Sequence, residues 1–444
     1  MSMGEIHLIN WRDYQKKLKR VKRRREVLRR LPMLGILAGS CLLILGSIFF
    51  AASWIFANLE VYNKPITESR PNDSKSMKFS KTELPSFLSG FNLEISPETG
   101  NYIFGKEGVG LVASTTLNAA LQNYIVRLLD RSMTHQAAVV ALSPSNGQIL
   151  AMVSSVKNRG MDGKELCLSA DLPAASLFKI ISAAAAIEAC DFTPDRVLYY
   201  RGGKYTLYKS QLKQAKGRYL TKTSFREAFS GSINPVFGKL GIYVLGRDLI
   251  IQYADKFFFN QEIPFDLSMG RSIIKVPEDD FGLAEIASGF NKRTLISPLH
   301  AVMITSAVAN NGTMMEPWLI RDIRNESGQI LYSARPSRLT NPIKSETAKQ
   351  LKILMKDTVI NGTCRKAFMP LQRKKIFNNI ELGAKTGTIN DLHDKYKYDW
   401  LTAYALPDNG DQGVCIAVLA VHGEKLGLRA KDIARDIINY HFNS

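Results

Sequence analysis

The chain has 444 residues, 45% hydrophobic and 22% charged, with a formal net charge of +19. That balance excludes a disordered chain, and the length fits one large domain with appendages or two domains. A charge of this size would suggest a nucleic-acid partner if it were spread over the fold, but much of it sits at one end.

Residues 1–30 hold eleven Lys/Arg, from Arg12 to Arg30, against Glu5, Asp13 and Glu26. An uncharged run, Leu31 to Leu59, follows directly. About 20 apolar residues cross a bilayer core as a helix, and this run is longer. The basic block lies on its N-terminal side, and only Lys64 and Arg70 stand near its other end. The positive-inside bias therefore puts the N-terminus in the cytoplasm and everything after residue 59 outside. The block then reads as a topology signal in contact with anionic lipid, and no nucleic-acid partner is expected. A cleavable signal peptide has an apolar core of roughly 7–15 residues, about half this length. Leu37–Cys41, "LAGSC", resembles a lipoprotein cleavage site, but the apolar run continues past it to Phe56. A retained anchor is the expectation, so the chain divides into a basic tail (1–30), an anchor (31–58), a polar stalk with Pro65, Pro71 and Pro85 (59–109), and a folded domain (110–444).

Within that domain, "TTLNAALQNYIVRLLDR" has helical periodicity, and "AAVVAL-SPSNG-QILAMVSS" reads as a β-hairpin turning at Asn146-Gly147. The segment Ser176 to Cys190 is apolar nearly all round, which predicts a buried central helix. Helical patterns dominate residues 224 to 310, and "SETAKQLKILMKDTVI" is a further helix. The chain then returns to strands, "IELGAKTGT", "WLTAYAL" and "GVCIAVLAV", before a last helix, "RAKDIARDIINYHF". Strands at both ends of a helical middle predict an α+β fold: an antiparallel sheet of distant segments, flanked by helices, with an all-helical lobe.

Cys41 falls in the anchor, and Cys167, Cys190, Cys364 and Cys415 allow three pairings that sequence does not resolve. The six histidines are scattered and no H-E-x-x-H is present, so no metal and no cofactor are expected.

One stretch, "PAASLFKIISAAAAIEAC", places a serine and a lysine one turn apart in an otherwise apolar helix. A lysine inside a core is costly unless paired or functional. Ser-x-x-Lys alone carries little information, because it also occurs at Ser154–Lys157, Ser210–Lys213 and Ser272–Lys275. Only Ser176 opens a long apolar helix, on which positions i and i+3 share a face and Lys179 is desolvated. By itself Ser176 reads equally well as a helix N-cap. Two motifs that each occur once shift the balance: Ser232-Ile-Asn234, and Lys385-Thr386-Gly387 at the end of a strand. The ordered set S-x-x-K, S-x-N, K-T-G is shared by β-lactamases and penicillin-binding proteins.

On these motifs, and on "VVALSPSNGQILAMVSS", "TSFREAFSGSINPVFGKLG" and "SPLHAVMITSAVANNGTMMEPWLI", residues 110–444 resemble a penicillin-binding protein of the monofunctional, class B-like D,D-transpeptidase kind. The resemblance implies acyl transfer through a serine ester. Ser176 attacks the carbonyl between the two D-alanines of a peptidoglycan stem peptide, and a neutral Lys179 takes its proton. Ser232 relays a proton to the leaving D-alanine, and Asn234 orients Lys179 and the substrate. Lys385 stays charged, Thr386 and Thr388 bind the terminal carboxylate, and Gly387 lets substrate backbone lie against the strand. The N–H groups of Ser176 and Thr388 form the oxyanion hole. Implied partners are stem peptides ending in D-Ala-D-Ala, β-lactams, the membrane and a polytopic glycan polymerase, at the bacterial cell membrane.

The interval from Leu59 to Ser176 is too short for the glycosyltransferase domain of bifunctional relatives and for most of a large pedestal module. Alternatives are a D,D-carboxypeptidase or an anchored β-lactamase; a penicillin-sensing receptor is more distant. No E-x-x-L-N deacylation motif is found, and Ser-x-Asn stands where class D β-lactamases have Ser-x-Val.

Overall fold

The computed structural model describes residues 79–443 except 97–100, 107–109, 158–164, 215–219, 392, 409, 411 and 425. The basic tail, the Leu31–Leu59 run and most of the stalk lie outside the described residues, as does Cys41. Among the described residues no helix is long and apolar enough to cross a membrane.

The expected hairpin forms from Gln136–Leu142 and Ile149–Val156, paired antiparallel in register Val139↔Val153. Gly147 closes it at φ 78°, a conformation most residues avoid. The late strands Ile380–Asn390, Lys397–Pro407 and Val414–His422 add to it, giving one five-stranded antiparallel sheet. Its order joins the C-terminal strands to the N-terminal hairpin, with Val418 opposite Val139. Ile380–Asn390, which carries Lys-Thr-Gly, is an edge strand of this sheet.

Strand alternation gives the sheet two working faces. Leu382, Ala384, Leu401, Ala403, Ile416 and Val418 face one core, closed by the amphipathic helices Ala119–Asp130, Arg365–Gln372 and Ala430–Asn443. The other face carries Lys385, Gly387, Trp400, Thr402 and Tyr404. Here Thr305 of helix Pro298–Ala309 bonds Thr402 (2.5 Å), and helix Ser345–Ile360 takes the Tyr404 hydroxyl on its Lys352 carbonyl. Both of these helices match their sequence segments closely.

The Ser176–Cys190 segment is resolved more finely than periodicity predicts. Residues Ala175–Phe178 form a 3-10 turn, and the α-helix proper runs Lys179–Cys190, with ten of its residues buried. Ser176 is therefore not the helix N-cap. The turn packs against the Lys385 strand, so the helix is central because its apolar surroundings are continuous.

The stalk reading requires correction at its C-terminal end. Residues 79–105 carry short helices at Lys81–Glu83 and Leu84–Phe87, and strands Asn92–Ile95 and Tyr102–Gly105. These strands join Leu111–Thr115, Ile320–Asn325 and Ile330–Ser333 in a second five-stranded sheet. Composition hid it because Asn92–Ile95 is exposed along its whole length, so no buried-face pattern marks it. Among the described residues the cysteines form no disulfide, and Cys167, Cys190, Cys364 and Cys415 are all buried.

Candidate active site

The site is assembled from three segments meeting at the edge strand. Lys179 has no exposed surface, and its Nζ lies 2.8 Å from Ser176 Oγ, 2.8 Å from Asn234 Oδ1 and 2.5 Å from the Ser288 carbonyl oxygen. Burial pushes its pKa well below the usual lysine value, and the neighbouring Lys385 charge lowers it further. A neutral amine has two N–H groups and one lone pair, which match two acceptors and one hydroxyl donor.

The second segment is the Ser232–Asn234 turn leading into helix Asn234–Leu240. Ser232 sits at φ 54°, a left-handed conformation uncommon outside glycine. Asn234 is fixed from behind: its N–H donates to the Lys204 carbonyl (2.7 Å) and its Nδ2 to the Tyr205 carbonyl (2.9 Å). The third segment supplies Lys385, whose Nζ donates to Ser232 Oγ (2.9 Å) and to the Thr386 carbonyl (2.8 Å). Ser176, Lys179 and Asn234 thus form one set of polar contacts, and Ser232 and Lys385 form a second.

The surroundings of Lys385 work against the charge expected of it. It is fully buried, no carboxylate pairs with it, and desolvation lowers its pKa to about 7. Its proton is therefore held weakly near neutral pH. Sequence gave its type and position but not the absence of an anionic partner.

Gly387 packs against the turn that carries Ser176: a Cβ there would lie 3.3 Å from Ala175 Cβ and 3.4 Å from the Ser176 amide nitrogen. Thr386 and Thr388 point to the other side of the strand, as their two-residue spacing predicts. Thr386 Oγ1 lies 2.7 Å from Thr363 Oγ1, whereas Thr388 is exposed with its hydroxyl 3.4 Å from Asp399 Oδ1. Asp399 is itself held by Arg429 (2.6 Å) and the Ala430 N–H (3.1 Å), at the start of the C-terminal helix.

Several residues here escaped sequence reasoning. Ser288 acts through its backbone carbonyl, which side-chain motifs do not encode. Gly289, at φ 65°, looks like a helix C-cap, yet a Cβ there would sit 1.9 Å from the Ala175 carbonyl oxygen. That close approach, next to Ala175 at φ 48°, sets the turn presenting Ser176. Thr363 follows a helix-ending Asn361-Gly362, which reads as an ordinary turn.

The other Ser-x-x-Lys pairs do not form such contacts. Ser154 donates to Glu165 while Lys157 reaches the Asp130 carbonyl (2.6 Å). Ser210 and Lys213 are both exposed. Ser272 is buried but Lys275 is exposed.

Comparison with known proteins agrees with this geometry. Residues 137–439 match the family described as penicillin binding protein transpeptidase domain. Stage V sporulation protein D of Bacillus subtilis is 26% identical over 333 residues, covering 72% of this chain and 50% of that protein. This chain thus spans about half the length of that relative. Peptidoglycan D,D-transpeptidase PbpA of Mycobacterium tuberculosis is 25% identical over 410 residues, covering 83% of this chain and 80% of the relative. Among solved structures, the D,D-transpeptidase domain of a peptidoglycan glycosyltransferase from Eggerthella lenta aligns with a TM-score of 0.61 at 22% identity, covering 74% of this chain and 82% of that one. PBPA from Mycobacterium tuberculosis aligns with a TM-score of 0.59 at 24% identity, covering 74% and 81%. Family match, fold and catalytic geometry agree: the chain belongs to the penicillin-binding protein transpeptidase family.

Proposed function

We propose that this protein is a peptidoglycan D,D-transpeptidase, acylated by penicillins at Ser176. The supporting observation is the contact chain Ser176–Lys179–Asn234 and Ser232–Lys385, with a desolvated Lys179 against the nucleophile.

Neutral Lys179 takes the hydroxyl proton as Ser176 Oγ bonds to the penultimate D-alanine carbonyl carbon. The oxygen gains negative charge next to the backbone N–H groups of Ser176 and Thr388. The carbon–nitrogen bond then breaks, and the D-alanine amine leaves with a proton passed through Ser232. An acceptor amine attacks the Ser176 ester, gives up a proton to the lysine pair, and frees the hydroxyl with a new amide formed. The substrate's terminal carboxylate lies at Thr386 and Thr388. Its charge raises the affinity of Lys385 for a proton, so substrate binding restores the cation that burial disfavours.

In the same reading, residues 31–58 anchor the chain, 1–30 remain in the cytoplasm, the segment from 59 to 78 connects to the domain, and the domain from residue 79 on works outside the membrane beside a polytopic glycan polymerase. The basic asymmetry around Leu31–Leu59 supports this topology. Mass spectrometry of products from a stem-peptide donor, with and without an acceptor amine, tests the activity. A cross-linked product is expected with the amine. Hydrolysed donor alone under both conditions would make the protein a carboxypeptidase.

A further inference from the structure

The segment Asn361–Arg365 lies outside all three motifs, yet it wedges between two of them. Gly362 packs so closely on Ser230 that a Cβ would lie 2.5 Å from its carbonyl oxygen. The Thr363 N–H donates to that same carbonyl (3.1 Å), two residues before Ser232. On its other side, Thr363 Oγ1 lies 2.7 Å from Thr386 Oγ1 of the edge strand. Cys364, next in sequence, is fully buried.

Two hydroxyls at this distance form one hydrogen bond, in which either one can donate. A carboxylate only accepts hydrogen bonds. When one arrives at Thr386, the hydroxyl of Thr386 must turn outward to donate to it. The oxygen of Thr386 is then left to accept from Thr363. The order Thr363 to Thr386 to carboxylate is the only one in which each member is matched, and each bond in such a chain polarises the next. Helix Arg365–Gln372 begins two residues after Thr363, with Cys364 as its N-cap and exposed Arg365 and Lys366 in its first turn.

We propose that Thr363 is a positioning residue for the donor carboxylate. It fixes the Thr386 hydroxyl as a donor, so that the site selects stem peptides with a free C-terminal carboxylate. This rests on the transpeptidase reading and adds a specificity element to it.

The test compares two donor peptides that differ only at the C-terminus, one a D-Ala-D-Ala carboxylate and the other its primary amide. Ser176-dependent acyl-enzyme formation is followed by mass spectrometry over a range of donor concentrations. Thr363→Val keeps the shape and removes the hydroxyl. It is expected to lower kcat/KM for the carboxylate donor about tenfold, mainly through KM, because a bond to a charged group has lost its support. The amide donor, already the poorer substrate, is expected to change less than twofold, and Thr363→Ser restores the preference. If Thr363→Val does not fold, as judged by its melting curve, Thr363→Ala is read in the same way. Equal losses for both donors, or no rescue by serine, would reduce Thr363 to a packing residue and overturn the inference. Absence of any Ser176 acylation in the unaltered protein would instead remove the transpeptidase reading, and this inference with it.

Discussion

Ser176–Lys179 and Ser272–Lys275 share one spacing, and the fold treats them in opposite ways. Ser272 is buried and accepts the Ser297 N–H (3.4 Å), while Lys275 points into solvent. At Ser176 the serine is half-buried and the lysine is sealed in, with three oxygen partners and no carboxylate. The same two side chains at the same separation therefore give a surface lysine in one place and a buried lysine with a lowered pKa in the other. Desolvation makes the difference, and it comes from the apolar helix that follows the lysine rather than from the pair itself.

The strongest test of this contrast replaces the serines. Ser176→Ala is expected to abolish covalent labelling by a fluorescent penicillin, with Ser154→Ala, Ser210→Ala and Ser272→Ala labelling at full stoichiometry. Full labelling of Ser176→Ala would transfer the chemistry to another pair.

Next in size is the contrast between the two buried lysines. Lys179→Arg removes the base, since arginine does not deprotonate in proteins, and should cost acylation orders of magnitude at every pH. Lys385→Arg keeps a positive field and a measurable fraction of the rate. The pH profile separates them further. On the acid side acylation falls as Lys179 takes a proton. On the alkaline side it falls as Lys385 loses its own, near pH 7 in the free enzyme because burial lowers that group to about 7. Lys385→Arg should therefore lose the alkaline limb of kcat/KM. Stopped-flow acylation from pH 5 to 10 checks this; an unchanged alkaline limb would assign that limb to another group.

A smaller effect is expected at Gly289. An added methyl would meet the Ala175 carbonyl at 1.9 Å, and φ is 65°. Gly289→Ala should slow acylation about tenfold or more by shifting Ser176, with strain at such a site on the order of 1–3 kcal/mol. Melting curves and acylation rates of this variant distinguish a shifted nucleophile from a merely destabilised fold.

The sequence exposed the parts of this site that chemistry encodes in side chains. Three motifs named Ser176, Lys179, Ser232, Asn234 and Lys385, and the structure bonds Lys179 to Ser176 and Asn234, and Lys385 to Ser232. The central sheet was legible too, because its strands are apolar and bounded by Asn146-Gly147 and "PDNGDQ". What stayed hidden acts through the backbone or through an absent atom: the Ser288 carbonyl, the missing Cβ of Gly289, the carbonyls of Lys204 and Tyr205. Periodicity also missed the second sheet, since an exposed edge strand has no buried face to alternate with. The charge of Lys385 depended on a partner that only three dimensions could show to be lacking.

The subtlest test asks whether burial of the two lysines is felt by the fold itself. An unfolded lysine titrates near about 10.4, and both folded values lie below that, Lys385 at about 7. Between the folded and unfolded values the unfolded chain binds more protons than the native one. Stability must therefore rise with pH across that window, with a limiting slope of about 1.4 kcal/mol per pH unit for each such proton. The gain is absent below pH 7, where Lys385 is charged in both states, and complete above about pH 10.4, where both states are neutral. Lys385→Met should remove the Lys385 share of this rise between pH 7 and 10, leaving that of Lys179, and so make the protein relatively more stable at pH 7 than at pH 10, compared with the unaltered chain. Lys275→Met, at the exposed position of the contrasting pair, should leave the slope as it was. Denaturant unfolding at pH 7, 8 and 9 resolves the two slopes, and equal slopes for Lys385→Met and the unaltered chain would mean that the buried amine keeps its proton as firmly as a lysine in water.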